Sequence, residues 1–122
     1  PLCPLQLIKM NDLLKKKCIP CEGGVLPFDV TEIHKYQKKV DGWDIIKNKD
    51  LFMLEKSFKF KNFKDSQNFV NKVGEISEEE GHHPDIIFGW GYAKINITTH
   101  AIKGLSENDF ILAAKIDQIF NV

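Results

Sequence analysis

Three short signatures constrain the fold of this chain more than any other feature. Asp29 stands three residues before Glu32, Asn62 three before Asp65, and Ser106 three before Asp109. Each pair is a capping box, in which a polar side chain and a partner one turn on satisfy backbone N–H groups that a helix start leaves without partners. Apolar residues at helical spacing follow each one: Val30, Ile33, Tyr36, Gln37 and Val40; then Phe63, Ser66, Phe69, Val70, Val73 and Ile76; then Phe110, Ala113, Ala114, Ile116 or Asp117, and Phe120. Asp41-Gly42 closes the first helix, and Gly81 suits the left-handed position that closes the second.

Between the helices lie two pairs of extended runs. Residues 43–47 and 51–60 are joined by Asn48-Lys49-Asp50, and residues 85–89 and 92–99 by Gly89-Trp90-Gly91. Connections this short make each pair antiparallel. In the last run Ala93, Ile95 and Ile97 face inward, and Lys94, Asn96 and Thr98 outward. The order helix, two strands, helix, two strands, helix predicts an α+β fold of two layers: a four-stranded antiparallel sheet with three helices on one face. That domain takes residues 29–122. Residues 1–28 hold four of the five prolines and Gly23-Gly24, and read as a partly ordered arm. Ile111 and Ile119 add apolar surface on other sides of the last helix, which is therefore expected to meet another subunit as well as its own sheet.

Composition narrows the function classes. Seventeen basic and seventeen acidic residues cancel, so no basic face is available to offset nucleic-acid phosphates, and direct nucleic-acid binding is not expected. Lys15-Lys16-Lys17 is a solvated charge run. No apolar run approaches the ~20 residues that span a bilayer. Residues 1–9 lack the charged start and cleavage site of a signal peptide, and Met10-Asn11-Asp12 reads as a natural start. These readings place the protein in the cytoplasm and off the membrane. Three cysteines argue against a disulfide framework. Cys18-Ile19-Pro20-Cys21 has metal-knuckle spacing, but only Cys3 and His34 offer further ligands, so it reads as a reduced pair with no zinc.

The chemistry-bearing residues fall in two blocks. Three of the four histidines lie in Gly81-His82-His83-Pro84-Asp85 and Thr98-Thr99-His100-Ala101, with Gly104-Leu105-Ser106 and Asp109 close behind. All sit at junctions between elements, where a rigid scaffold can aim a side chain into a cleft. Neighbours on an extended chain point opposite ways, so His82 and His83 cannot aim at one atom unless the turn after Gly81 redirects one of them. Pro84 holds His83 extended. His100, at the end of its strand, can come alongside His82. Asp109 can hydrogen-bond and orient an imidazole, or cap a helix with Ser106; both readings stand open. Thr98 and Thr99 can donate hydrogen bonds to a ligand. Glu78-Glu79-Glu80 opposes the helix dipole at its C-terminus, a local cost of about a few tenths of a kcal/mol per residue that invites a functional reading, Glu78 lying four residues before His82. Three imidazoles and a water would also suit zinc, although the histidine spacing lacks the paired helical ligands of recognisable zinc motifs.

The run His82-His83-Pro84-Asp85, then Thr99-His100, then Gly104-Leu105-Ser106 with Asp109 and Leu112-Ala113, resembles the signature of the pterin-4a-carbinolamine dehydratases, also known as dimerisation cofactors of a homeodomain transcription factor. His100 follows His82 by 18 residues and Asp109 follows His100 by nine, as in that family. The resemblance runs from about Cys18 to Ile119. It departs at Ile86, where relatives commonly carry an aromatic, and at Trp90, where tyrosine is expected. It implies dehydration of a 4a-hydroxytetrahydropterin to a quinonoid dihydropterin in tetrahydrobiopterin recycling. Histidine suits both proton transfers, since its unperturbed pKa is about 6.5, and no metal, cofactor or covalent intermediate is required. His82 and His100 are assigned as the acid–base pair, His83 as chiefly holding the substrate, and Asp109 as supporting them. Gly81, Thr98, Thr99, Ala101, Glu78 and Trp43 complete the expected pterin site. The resemblance also implies a homodimer or homotetramer paired through sheet edges. The alternative is a binding module, a dimerisation partner for a transcription factor that uses an exposed helical face and works in the nucleus as well as the cytoplasm.

Overall fold

In the computed structural model, which describes residues 12–19 and 26–121, each capping signature starts a helix. Asp29 Oδ1 accepts the Glu32 N–H at 2.9 Å ahead of Val30–Gln37. Asn62 Oδ1 accepts the Asp65 N–H at 2.8 Å ahead of Phe63–Glu80. At the third helix, Glu107–Asn121, the roles reverse: Asp109 Oδ2 reaches back to accept the Ser106 N–H at 2.8 Å. A helical stretch over residues 12–14 precedes all three, so in chain order they are α2, α3 and α4, and the fourth, unexpected helix is α1.

The strands are β1 (Asp44–Asn48), β2 (Leu51–Lys59), β3 (Asp85–Gly89) and β4 (Tyr92–Ile97). They form one antiparallel sheet in the order β1-β2-β4-β3. Lys49 and Asp50 both take positive φ (52° and 66°), as a two-residue hairpin turn between twisted strands requires. The register Leu54↔Ile97 and Phe58↔Ala93 stacks apolar side chains on the inner face, and Leu54, Phe58, Ala93, Ile95 and Ile97 are all buried. The other parity gives Glu55↔Asn96 and Ser57↔Lys94, of which Ser57 is exposed and the rest partly so. The inner face packs into one core with Phe69 and Val73 of α3 and Phe110–Ala114 of α4. The two-layer α+β architecture is as expected.

Several boundaries differ, each for a local reason. The β4 strand stops at Ile97 because Thr98 and Thr99 turn away: Thr99 bridges Gly104, and residues His100–Ile102 form a 3-10 turn closed by Lys103 at φ 54°. Thr98, expected to face outward, is consequently buried. α2 ends at Gln37, short of Asp41-Gly42, although Val40 still reaches the core. Val30 and Phe63, the first apolar residues of their helices, are about half exposed, Phe63 still meeting the Phe88 ring of β3 at 5.6 Å between centroids.

The largest correction concerns α4. Ile111, expected on a face turned to another subunit, is buried within the chain itself. The N-terminal arm packs beside the start of this helix: Leu13 of α1 and Cys18 belong to the same core cluster as Ile111, and the Cys18 thiol lies 3.5 Å from the Asn108 carbonyl. Lys16 Nζ meets Glu107 Oε2 at 2.7 Å, and the Phe28 N–H donates to the Leu105 carbonyl at 2.8 Å. Cys3, Cys21, Gly23-Gly24, Val122 and the readings made of residues 1–9 and Met10 lie outside the described residues. Among the described residues no helix is long and apolar enough to cross a membrane.

Candidate functional site

The site begins with the way α3 ends. Gly81 takes the left-handed conformation (φ 65°), its N–H donating to the Glu78 carbonyl and the His82 N–H reaching back to that of Ser77 at 3.1 Å. This Schellman-type closure folds the chain sharply and sends His82 inward. His82 Nε2 lies 2.7 Å from Asp109 Oδ1. The His82 ring is mostly buried and the Asp109 carboxyl fully so. Asp109 Oδ2 accepts two further bonds at 2.8 Å, from the Thr99 hydroxyl and the Ser106 N–H. The two readings of Asp109 therefore hold together: one oxygen orients a histidine while the other caps α4.

With Asp109 Oδ2 taken up by Thr99 and Ser106, Oδ1 is the acceptor available to a proton on His82 Nε2, which leaves Nδ1 as the ring nitrogen not committed to Asp109. An imidazole so held by a buried carboxylate is oriented for proton transfer.

His83 follows on the opposite side of the turn. Its ring is exposed, with Nε2 3.4 Å from Glu78 Oε2, itself exposed on the last turn of α3. His100 opens the 3-10 turn and is also exposed. His82, His83 and His100 nevertheless line one open cleft of about 260 Å³, together with Gly81, Thr98, Thr99 and Ala101. The threonine hydroxyls are engaged within the protein. Thr98 Oγ1 faces the Phe52 and Gly104 carbonyls at 2.9 and 3.2 Å, and Thr99 donates to Asp109. Glu78 stands at the rim through His83 without lining the cleft. Trp43 does not join the set. It is buried in the core, where its indole N–H donates to Asp117 Oδ2 at 2.9 Å. Among the described residues, no group of three or more His, Cys, Asp or Glu side chains is arranged to hold a metal ion.

Sequence reasoning missed one wall. Cys18, Ile19 and Asn108 also line the cleft. Asn108 grips Ile19 through both backbone groups, its Oδ1 accepting the Ile19 N–H at 3.1 Å and its Nδ2 donating to the Ile19 carbonyl at 2.6 Å. Glu80 Oε1 accepts the Cys18 N–H at 2.8 Å, and its Oε2 meets Lys115 Nζ at 2.7 Å. Burial by itself would raise the Glu80 carboxyl, but the Lys115 ammonium and the Cys18 N–H together hold it below the usual range. Burial, reinforced by the neighbouring Glu80 charge, pushes the Cys18 thiol up to about 12, so it stays protonated and unreactive. The available signal was the glutamate run at the end of α3. Its unfavourable placement pointed to a function, but the residue inside the protein is Glu80, not Glu78.

Comparison with known proteins adds to this geometry. A family model described as Pterin 4 alpha carbinolamine dehydratase matches residues 27–119. A protein of Rubrobacter xylanophilus named "Putative pterin-4-alpha-carbinolamine dehydratase" is 46% identical over 110 residues, covering 90% of this chain and all of its own length. One of the same name from Halorhodospira halophila is 49% identical over 107 residues, covering 88% of this chain and 96% of its own. Among solved structures, a transcriptional coactivator/pterin dehydratase from Brucella melitensis superposes with a TM-score of 0.69 at 26% identity, over 76% of this chain and 97% of that one. A pterin dehydratase-like protein identified as a RuBisCO assembly factor in the alpha-carboxysome reaches a TM-score of 0.55 at 28% identity, over 64% of this chain and 88% of its own.

Proposed function

The chain belongs to the pterin 4 alpha carbinolamine dehydratase family, and from that premise we propose that its histidine cleft removes water from a 4a-hydroxytetrahydropterin. The 4a-oxygen takes a proton, the C4a–O bond breaks and water leaves. The proton on N5 goes to a base, and the C4a=N5 double bond of the quinonoid dihydropterin forms. His82 and His100 carry these two transfers, and His83 at the rim chiefly holds the substrate. Asp109 is a positioning residue that acts through His82. The observation that carries this reading is the convergence of three histidines on one cleft, with His82 held by a buried carboxylate. The physiological setting is tetrahydrobiopterin recycling in the cytoplasm.

The test is direct. Purified protein is added where a 4a-hydroxytetrahydropterin is being generated, and formation of the quinonoid product is followed by absorbance. His82→Ala and His100→Ala are each expected to lower kcat by about 10²- to 10⁴-fold. His83→Ala is expected chiefly to raise KM. Equal small losses at all three positions would contradict the division of roles, and a wild-type protein that does not accelerate the reaction would remove the enzymatic reading.

One set of features favours a role in association as well. Among the described residues the outer strands β1 and β3 each have one edge without a partner strand, and Ile87, Trp90 and Tyr92 are exposed on or beside the sheet. They support a homodimer or homotetramer formed through sheet edges, which sedimentation at micromolar concentration would detect. The alternative reading, a dimerisation partner for a transcription factor, would have to use the part of α4 that stays accessible, where Phe120 is exposed and Ile119 only partly buried, because Ile111 is buried within the chain.

A further inference from the structure

The cleft is short of one property that a flat heterocycle needs. Small-molecule sites are mostly apolar, with a few polar groups to fix orientation. Among the described residues the lining is dominated by histidine, threonine and asparagine, and its aliphatic side chains are Ile19 and Ala101. Ile19 is 71% exposed, a large apolar side chain left at the edge of a polar cleft. It comes from the N-terminal arm, outside the strands and helices that carry the histidines.

The arm does not rest there by apolar contact alone. Asn108 makes a two-point backbone grip on Ile19, as a neighbouring strand would. Glu80 is buried at the C-terminal end of α3, where a carboxylate opposes both the helix dipole and its own desolvation. It is kept there by Lys115 and holds the Cys18 N–H. Two helices thus each commit a buried polar side chain to fix two consecutive residues of the arm beside His82 and His100.

We infer that the N-terminal arm is a working wall of the substrate site: Ile19 covers one face of the bound pterin ring, and Asn108 and Glu80 are the positioning residues that hold it there. This rests on the pterin reading above and names the apolar contact that reading lacks. The arm governs how tightly the ring is held, and the histidines govern its chemistry.

The experiment measures two things separately. Binding of 7,8-dihydropterin, which carries no 4a-hydroxyl to lose, is titrated at equilibrium, and kcat and KM are measured with the carbinolamine. Ile19→Ala is expected to weaken dihydropterin binding and raise KM by about 3- to 10-fold, as the loss of a few apolar carbons from a contact implies. Its kcat should stay within about twofold of wild type, and Ile19→Leu, which keeps the apolar area, should restore binding. Asn108→Ala should weaken binding in the same way. It should also make Cys18 alkylate faster with iodoacetamide, followed on the peptide that contains it, because the thiol is shielded only while the arm is docked. Unchanged dihydropterin binding in Ile19→Ala overturns the inference. So does an Asn108→Ala protein whose Cys18 becomes reactive while binding stays at the wild-type value. A wild-type protein that binds dihydropterin without dehydrating the carbinolamine sinks the catalytic reading and leaves the wall standing, whereas one that binds no pterin sinks both.

Discussion

At the scale of single residues, Asp109 carries the most structure per atom. Its two oxygens accept from His82 Nε2, the Thr99 hydroxyl and the Ser106 N–H. A carboxyl group offers an acceptor on each oxygen, whereas an amide offers one acceptor and one donor, and this is why asparagine cannot replace it in kind. In Asp109→Asn one oxygen becomes an NH₂ donor, so one of the three donors loses its acceptor, or His82 must move its proton to Nδ1. The expected result is a loss of about 1–3 kcal/mol in urea unfolding, from a buried polar group left without a partner. With it should come a fall in kcat of about 10²-fold or more with little change in KM, because the histidine is misdirected while the cleft keeps its shape. A variant with wild-type kcat would show that the His82–Asp109 bond does not orient the working imidazole. Thr99→Val removes only one of the three donors, so its effect on kcat should be much the smaller.

At the scale of elements, what could be read in advance was what is local. The caps at Asp29 and Asn62 and the left-handed stop at Gly81 depend on residues within one turn, and each formed at its expected position. The meeting of His82 with Asp109 joins residues 27 apart, and family spacing rather than local pattern pointed to it. The docking of the arm was not readable, because it depends on a long-range match between the backbone of Cys18-Ile19 and side chains some 60 to 90 residues away. Trp43 shows a different limit: a tryptophan beside a strand start looks the same in sequence whether it packs against a ligand or in the core, and in this structure its ring packs in the core against Phe58. Gly81 gives the element-scale prediction. A Cβ there would meet nothing within 4 Å, so the penalty for Gly81→Ala is conformational alone. A left-handed alanine should cost about 1 kcal/mol in unfolding free energy. Gly81→Asn, which tolerates that conformation better, should cost less. Because the same turn aims His82, the alanine variant should also lose kcat. Full activity at reduced stability would show that His82 is held by Asp109 without help from the turn.

At the scale of the whole molecule, the helical layer is tied to the β1–β2 hairpin by one buried ionisable group. Asp117 of α4 accepts from Lys56 Nζ of β2 at 2.8 Å and from the Trp43 indole just before β1 at 2.9 Å. Lys56 also donates to the Asp41 carbonyl at 2.8 Å, closing the loop back to the end of α2. Burial pushes the Asp117 carboxyl up to about 6, more than Lys56 and the Trp43 N–H can offset. An unfolded aspartate titrates near about 3.9, so the folded state holds this proton more tightly than the unfolded one. The stabilisation from that proton is complete below about pH 4 and is lost as the pH rises through about 6. Glu80 and Glu107 are held below the usual carboxylate range and act in the opposite direction, their contribution being lost as the pH falls. Wild-type stability alone therefore mixes the two trends, but a comparison with Asp117→Asn cancels every group the proteins share. Measured by urea unfolding at pH 4 and again at pH 7, wild type should lose roughly 2–3 kcal/mol relative to the variant over that interval. A difference that stays flat, or that grows in favour of wild type as the pH rises, would mean that the ion pair with Lys56 outweighs desolvation and that Asp117 is ionised in the folded protein throughout the range.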